Sequence, residues 1–253
     1  MAPALLALLL TVAPHVQEGD AQAFTSLIDP ASGAVIADGR YAQSVRDGVL
    51  EIEARYDFPD GRTVVERASL RLQPRLEQQS WDWTERKGKA LVRQYQVDFR
   101  SGKAQARRVD EHKEWKEDLH VTPGKTFAGI AFVSVIKSLR EELRAGQKKE
   151  LEAVAFTPKP RVAKVSVTRD NPQELRMAER SIQADAYNIH PEIPAIAKLF
   201  VKAPDQHVWL LAEGPAAFLR YEGPLAEPGD PLVRVDLIPS GSPNAGRRAR
   251  RAR

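Results

Sequence analysis

The side chains of this chain that could bind a metal or act as general bases are few and scattered. Beyond the N-terminal segment the histidines are His112, His120, His190 and His207. None of them stands in the His-x-x-x-His or His-Glu-x-x-His spacing that places two imidazoles on one zinc ion. We therefore expect no metal site, and we interpret these histidines as surface residues.

Nucleophilic and acid/base patterns are also missing from the sequence. No Gly-x-Ser-x-Gly elbow, Gly-x-Gly-x-x-Gly turn or P-loop occurs. Adjacent carboxylates such as Asp110/Glu111 and Glu141/Glu142 are typical of solvated surfaces rather than of the acid and base pair of a glycosidase. The sequence thus predicts a protein without catalytic residues and without a cofactor.

Aromatic side chains are the residues with a specific alternative use. Trp81 and Trp83 fall on one face of a predicted strand, and Tyr95 and Phe99 fall on the facing side of the next one. With Phe127 they could line a groove that grips an apolar ligand. The alternative is that the same residues pack a filled core.

These aromatic residues are positioned by segments in which apolar and polar residues alternate. In Leu50–Phe58 the alternation runs without a fault, and Pro59-Asp60-Gly61 supplies turn chemistry. The next segment, Thr63–Leu72, places Val64, Glu66, Ala68, Leu70 and Leu72 on one face. The pair predicts a β-hairpin, and similar segments joined by tight turns predict an antiparallel meander up to Trp115 and further strands after residue 150.

The period changes to that of a helix only between Thr126 and Ala145. Apolar residues recur there at steps of three and four, with charged residues on the other side towards Ala145. The N-terminal half is apolar on nearly all sides, which predicts that it inserts into the sheet. Gly146 is a suitable residue to end this helix. For Glu192–Val201 a short helix and a strand both remain open.

The first 23 residues have the pattern of a secretory signal peptide. An uncharged apolar run from Ala4 to Ala13 is followed by Pro14, a polar spacer and the sequence Ala21-Gln22-Ala23. The run is too short to cross a bilayer as a stable anchor. We expect cleavage near Ala23 and a soluble periplasmic or extracellular product, with a packed N-terminal helix or an uncleaved anchor as alternatives.

Charge and cysteine content narrow the class of protein further. The formal net charge is +4, and most of the positive charge lies in the C-terminal tail, residues 240–253, which we expect to be disordered. The tail could make weak contact with an anionic surface, but without aromatic residues it lacks the means to stack on bases. Its basic residues are Arg247, Arg248, Arg250, Arg251 and Arg253. The absence of cysteine excludes disulfides and a lipid-modified cysteine.

The order of these elements indicates a mainly β protein with three parts. Residues 1–23 form the signal peptide, 24–239 a single β-rich domain and 240–253 the basic tail. The expected architecture is an antiparallel meander curled into a barrel or half-barrel, closed by the helix at 126–145. A two-sheet β-sandwich is the second choice.

One family resemblance follows from the same features. The signal-like segment, the long meander, the mid-chain helix introduced by Thr122-Pro-Gly-Lys-Thr-Phe127 and the closing segment Arg220-Tyr-Glu-Gly-Pro224 resemble uncharacterised exported bacterial proteins of unknown function. The half-barrel of that family is similar to that of envelope lipoprotein carriers. The resemblance implies a concave apolar surface and an envelope role, and it transfers no functional residue.

Two functions are consistent with these observations. The first is a non-catalytic exported protein that binds a hydrophobic envelope component, a lipid or lipoprotein-like ligand, in a concave β-sheet. The second is a structural or interaction module of the envelope without a small-molecule ligand. An open groove beneath the helix would favour the first function, and a filled core would favour the second.

Overall fold

The computed structural model describes residues 18–177, 180–192 and 203–238. Within them the chain forms sixteen strands and two helices. In chain order these are β1 (Ala21–Ile28), β2 (Val35–Arg46), β3 (Val49–Asp57), β4 (Arg62–Arg71), β5 (Glu77–Lys87), β6 (Ala90–Asp98), β7 (Lys103–Arg108), β8 (Lys113–Asp118), β9 (Thr126–Phe127), α1 (Ala131–Ser138), α2 (Arg140–Arg144), β10 (Lys149–Phe156), β11 (Pro160–Arg169), β12 (Gln173–Met177), β13 (Arg180–Pro191), β14 (Gln206–Leu211), β15 (Phe218–Pro224) and β16 (Leu232–Ile238).

The strands form one sheet, so the predicted mainly β meander is confirmed and the two-sheet sandwich is not found. The order across the sheet is β8-β7-β6-β5-β4-β3-β2-β1-β16-β15-β14-β13-β11-β10-β9, and β12 pairs with β13 off this path. Every pairing is antiparallel except that of β9 with β10. Tight turns between consecutive strands explain this arrangement, because antiparallel neighbours need only short connections.

The sheet is open but strongly curled, so that the strands at one end pack over those at the other. Gln78 on β5 donates to the carbonyl oxygen of Ala128 at 3.3 Å and accepts from its backbone N–H at 2.7 Å. Lys159, beside β11, pairs with Glu117 on β8 at 2.9 Å. The inner face of β3–β7 is therefore packed against β9–β11, which gives the barrel-like shape.

Three apolar clusters form the core. The largest lies inside the curl, and the second packs α1 against β10, β11, β13 and β14. A small third cluster lies under β12. On β14, Val208 and Leu210 belong to the second cluster and Trp209 to the third. Strand β14 is therefore buried on both faces, which is why its Val208–Leu211 segment is continuously apolar.

The helical region is shorter than predicted for 126–145 and consists of two helices. Thr126 and Phe127 pair with β10 as β9, and Gly129 adopts a φ of +54° before α1 begins. Leu139 leaves helical geometry between α1 and α2. The prediction that the apolar half inserts into the fold is confirmed, because α1 buries Ala131, Phe132, Ser134, Val135 and Ile136. Gly146, with a φ of +81°, ends α2 as expected.

The residues just before β1 are attached to α1. Glu18 forms an ion pair with Lys137 at 3.1 Å and accepts from the Ser134 hydroxyl at 3.2 Å. Asp20 accepts from the backbone N–H of Val45 at 2.9 Å. Strand β1 itself begins at Ala21, and Ala21–Ala23 pair with residues 41–43 of β2. The expected cleavage position after Ala23 therefore falls within β1.

We predict that a chain starting at Phe24 is less stable than one starting at Glu18. The shorter chain loses three paired residues of β1 and leaves the buried Lys137 ammonium without its carboxylate, so the free energy of unfolding should fall by about 2–4 kcal/mol. Urea unfolding of the two purified chains measures this difference. Glu18→Gln in the longer chain should reproduce part of the loss, and equal midpoints for all three proteins would contradict the prediction.

Several sequence-based predictions lie outside the described residues. These are the apolar run Ala4–Ala13, the segment 193–201 and the basic tail from residue 240. In the part of the chain that the structure describes, neither helix has the length and apolar character needed to span a membrane.

Candidate ligand-binding cavity

A cavity of about 160 Å³ lies inside the curl beneath α1. Its wall includes Phe132 and Val133 from α1, Ala153–Phe156 from β10 and inward-facing residues of β1–β5 and β13–β16. The lining is mainly apolar and aromatic, which is typical of a site for a small organic molecule. The region that we predicted to be either a groove or a filled core is therefore a packed core that retains a cavity.

Two of the five predicted groove residues line this cavity. Trp81 and Trp83 are 5% and 1% exposed and project inward from β5. Trp81 stacks on Phe156 with ring centroids 5.5 Å apart, and Trp83 stacks on Tyr95 at 5.3 Å. The two tryptophans therefore pack within the apolar core and also line the cavity.

The other three predicted residues lie behind the wall. Tyr95 contacts Phe156 at 4.8 Å between ring centroids, and Phe99 belongs to the same large cluster. Phe127 packs against Phe132 at 6.1 Å in the second cluster. The structure therefore brings Trp81, Trp83 and Tyr95 together around Phe156 and places Phe127 apart from them.

Glu66 is an acidic residue in the apolar wall. It occupies an inward position of β4, and its Oε1 accepts hydrogen bonds from Trp81 Nε1 and from the backbone N–H of Ile130, both at 2.8 Å. A Cβ on Gly129 would lie 2.0 Å from Glu66 Oε1. Glycine is therefore required at this position, both for its positive φ and for the close approach of the carboxylate.

Burial controls the ionisation of Glu66 and of its tyrosine neighbours. Removal from water raises the pKa of Glu66, and the hydrogen bonds from Trp81 and Ile130 offset part of this effect. Burial also raises the pKa of Tyr56 and Tyr221, and the nearby Glu66 carboxylate adds to both shifts. These phenols therefore remain neutral at physiological pH, and Glu66 is the one acidic side chain among the cavity-lining residues described.

The loop between β15 and β16 forms one end of the cavity. Glu227 accepts hydrogen bonds from the Tyr95 hydroxyl and from Arg108, whose Nε lies 3.2 Å away. Asp230 pairs with Arg93 at 2.9 Å. These contacts hold the loop against β6 and β7, more than a hundred residues away in sequence. The loop residues in the wall are Leu225, Ala226 and Pro228.

A second buried charged cluster lies outside the cavity. Asp185 on β13 is 1% exposed and accepts hydrogen bonds from three arginines. Arg144 Nε lies 2.9 Å and Arg169 Nη2 lies 2.7 Å from its carboxylate, and Arg140 Nη2 lies 3.3 Å away. Burial alone would raise the pKa of Asp185, but the hydrogen bonds from Arg169 and Arg144 outweigh burial and hold it below its usual value.

This cluster attaches α2 to the sheet. Besides Asp185, Arg140 donates to the carbonyl oxygens of Leu211 at 2.7 Å and Ala212 at 2.6 Å. Both arginines belong to the charged residues that the sequence predicts on one side of the helix. Arg140 nevertheless faces the protein and is only 7% exposed, whereas Glu141 in the same helix is exposed.

The expectation that the sequence lacks nucleophile motifs is wrong at one position, because Ser134 and Lys137 stand in a Ser-x-x-Lys spacing. This spacing occurs in serine hydrolases that activate the serine through the lysine. Here both side chains bind Glu18 instead, and Ser134 is 2% exposed and does not line the cavity. The arrangement therefore serves the attachment of the N-terminal segment to α1.

The four histidines in the described part of the chain do not line the cavity. His190 Nδ1 lies 2.7 Å from an Asp205 carboxylate oxygen, and His207 lies 3.9 Å from Asp170. His112 and His120 are exposed. Among the described residues no three histidine, aspartate or glutamate side chains could hold a metal ion together.

Comparison with known proteins finds similarity to solved structures. No protein-family model matches the chain, and no curated protein matches it. A solved structure with a similar fold is described as "Crystal Structure of Beta-barrel-like Protein of Domain of Unknown Function DUF1849 from Brucella abortus". The two sequences are 14% identical, the match covers 88% of this chain and 97% of that one, and the TM-score is 0.47.

Proposed function

We propose that this protein is a non-catalytic binding protein that holds a small hydrophobic molecule, or the apolar end of an envelope component, in the cavity beneath α1. The observation that carries the proposal is the cavity itself, which remains open between Trp81, Phe156 and Val133 although the surrounding core is closely packed. Packed interiors contain few voids of this size unless a ligand or ordered water occupies them.

The free-energy cost of the cavity supports this function. Apolar wall atoms that face an unfilled space lose the dispersion contacts that a packed interior provides, and this loss destabilises the fold. The wall residues concerned include Leu27, Phe132 and Val208. A bound apolar ligand would restore the missing contacts, so occupation of the cavity stabilises the fold.

The cavity also limits the size of what it can enclose. A dry cavity of about 150 Å³ in another protein accommodates benzene. The cavity beneath α1 is therefore suited to one aromatic ring or a short alkyl group. A longer acyl chain would insert only its end, which is how we interpret the hydrophobic envelope ligand inferred from the sequence.

An exported location is part of the proposal. It is supported by the apolar run Ala4–Ala13, which has the length and composition of the hydrophobic part of a signal peptide.

The edge strand β8 does not support the alternative function, an interaction module that binds a partner by adding a strand to the sheet. Strand β8 carries Lys113, Glu114, Lys116, Glu117 and Asp118, and such charged edges discourage pairing with another chain.

We predict that toluene raises the melting temperature of the protein and that Val133→Phe abolishes this effect. Val133 lines the cavity, so a phenyl group there fills the space that toluene needs. At 100 times its dissociation constant, a ligand that binds only the folded state stabilises it by about 2.7 kcal/mol. Thermal unfolding with increasing toluene measures the shift.

The matched control is Val35→Phe. Val35 is 52% exposed on β2, so its replacement adds the same group outside the cavity. The toluene shift should persist in this variant. A shift of equal size in the wild-type protein and in Val133→Phe, or no shift in either, would contradict the proposed function.

A further inference from the structure

One oxygen of the Glu66 carboxylate lacks a partner. Both hydrogen bonds that Glu66 accepts end on Oε1, and Oε2 accepts none from the residues that the structure describes. Glu66 lines the cavity, so the free carboxylate oxygen belongs to the cavity surface. A buried carboxylate is costly unless a cation or further hydrogen-bond donors compensate it.

The protein provides no such cation at the cavity. Among the described residues that line it there is no lysine, arginine or histidine. Without a basic neighbour, burial raises the pKa of Glu66 and favours its protonated form in the empty cavity. A positively charged guest stabilises the ionised carboxylate, so its binding is coupled to the release of the Glu66 proton. An anionic guest, such as a fatty acid carboxylate or a phosphate, is disfavoured.

Aromatic rings surround the same space. A cation above the face of a tryptophan or tyrosine ring is attracted by the ring quadrupole, and the attraction is strongest where water is excluded. The rings that line the cavity near Glu66 include Tyr41, Tyr56, Trp81, Trp83, Phe156 and Tyr221. The Tyr56 hydroxyl makes no hydrogen bond within the described part of the chain, so it can act as a further acceptor for a guest N–H.

We propose that the cavity selects a small apolar amine, bound as its ammonium ion, with an N–H donating to Glu66 Oε2 and the apolar group against Trp81 and Phe156. The proposal rests on the proposed function and specifies its ligand class. A neutral alcohol can also form a hydrogen bond with the Glu66 carboxyl group, but it does not stabilise the ionised carboxylate. An ammonium ion supplies both the donor and the charge.

Glu66→Gln tests the assignment without removing the local contacts. The glutamine Oε1 can still accept from Trp81 and Ile130, while its amide group replaces Oε2 and removes the charge. Calorimetric titration with benzylamine, benzyl alcohol, toluene and phenylacetate compares ligands of similar size and different charge. The matched control is Glu53→Gln, since Glu53 lies on the neighbouring strand β3 and pairs with Arg67 on the outer surface.

The wild-type protein and Glu53→Gln should bind benzylamine at least about tenfold more tightly than benzyl alcohol or toluene, and phenylacetate most weakly, in line with the extra free energy of a charge-assisted hydrogen bond. Glu66→Gln should lose that tenfold preference and bind toluene as before. If circular dichroism shows that Glu66→Gln does not fold, the order of the four ligand affinities in the wild-type protein tests the proposal instead.

The outcomes separate the two proposals. Toluene binding without a preference for benzylamine would overturn the amine assignment and leave the proposed function intact. An unchanged preference in a folded Glu66→Gln variant would also overturn the assignment. If none of the four ligands binds the wild-type protein, the cavity is not a binding site for small apolar molecules and both proposals fail.

Discussion

Replacement of Asp185 by asparagine is expected to lower the free energy of unfolding by about 3–5 kcal/mol. Asparagine keeps the shape of the side chain but leaves Arg140, Arg144 and Arg169 without their shared buried carboxylate. Removing one partner of a buried ion pair is costly because the remaining charges are uncompensated. Urea unfolding followed by circular dichroism measures the change.

The effect of Asp185→Asn should depend on pH. Because the folded-state pKa of Asp185 is lowered, its contribution to stability is present above the pKa of an unfolded aspartate, about 4, and is lost as the pH falls through the folded-state value. The difference in unfolding free energy between wild type and variant should therefore be constant near neutral pH and shrink below about pH 4. A constant difference down to the lowest measurable pH would contradict this account.

Asp57→Asn is the matched control for the Asp185 variant. Asp57 also accepts hydrogen bonds from an arginine, Arg55 at 2.8 Å, but both side chains are about 40% exposed. Such surface ion pairs contribute less than about 1 kcal/mol. A loss in Asp57→Asn as large as that in Asp185→Asn would show that burial of the three-arginine cluster is not the cause.

Trp83→Ala should lower the free energy of unfolding by about 3–5 kcal/mol, as expected for a large aromatic side chain removed from a packed interior. Trp83 is 1% exposed, stacks on Tyr95 and carries the Arg93 guanidinium 5.0 Å from its ring centroid. Denaturant unfolding of the two proteins provides the comparison.

Trp115→Ala provides the control for Trp83→Ala. Trp115 is only partly buried, on the edge strand β8, so its loss should cost at most about 2 kcal/mol. If Trp83→Ala were no more destabilising than Trp115→Ala, the interpretation of Trp83 as a structural wall of the cavity would be wrong. In that case a role confined to ligand contact would be favoured.

The strands of this fold are predictable from the sequence because their alternation is strong. Leu50, Ile52, Ala54, Tyr56 and Phe58 were expected on one face of the strand predicted at Leu50–Phe58, and all five are buried. The pairing of Trp83 with Tyr95 across β5 and β6 depends in addition on an irregularity of register between Glu85 and Arg86, which the alternation did not predict. Local patterns of this kind are sufficient to predict the fold class and most of the strand boundaries.

The helical region was harder to predict because long-range contacts decide its structure. Thr126 and Phe127 lie in strand geometry since β10 is available as a partner. The buried state of Arg140 depends on Asp185, 45 residues further along the chain. The sequence pattern shows that Arg140 is charged and therefore predicts an exposed side chain. It contains no information about the distant carboxylate that makes burial of this arginine possible.

The candidate site was predicted in part. The tryptophans of the cavity wall were identified from their spacing, whereas the Glu66 carboxylate was missed. Its signal was present, because Glu66 lies on the inward face of β4 between Val64 and Ala68. An acidic residue among the apolar, inward-facing positions of a strand is the feature that could have located the site. Such a residue is costly to bury unless it has hydrogen-bond donors or a cation as partners.

The most direct test of the account is a crystal structure of the protein with 4-bromobenzylamine, in which the anomalous scattering of bromine locates the ligand. We predict a bromine peak inside the cavity beneath α1, with the amine nitrogen at hydrogen-bond distance from Glu66 and the ring against Trp81 and Phe156. A cavity that stays empty at saturating ligand, or side chains that have collapsed to fill it, would contradict the claim that this protein holds a small apolar ligand in its core.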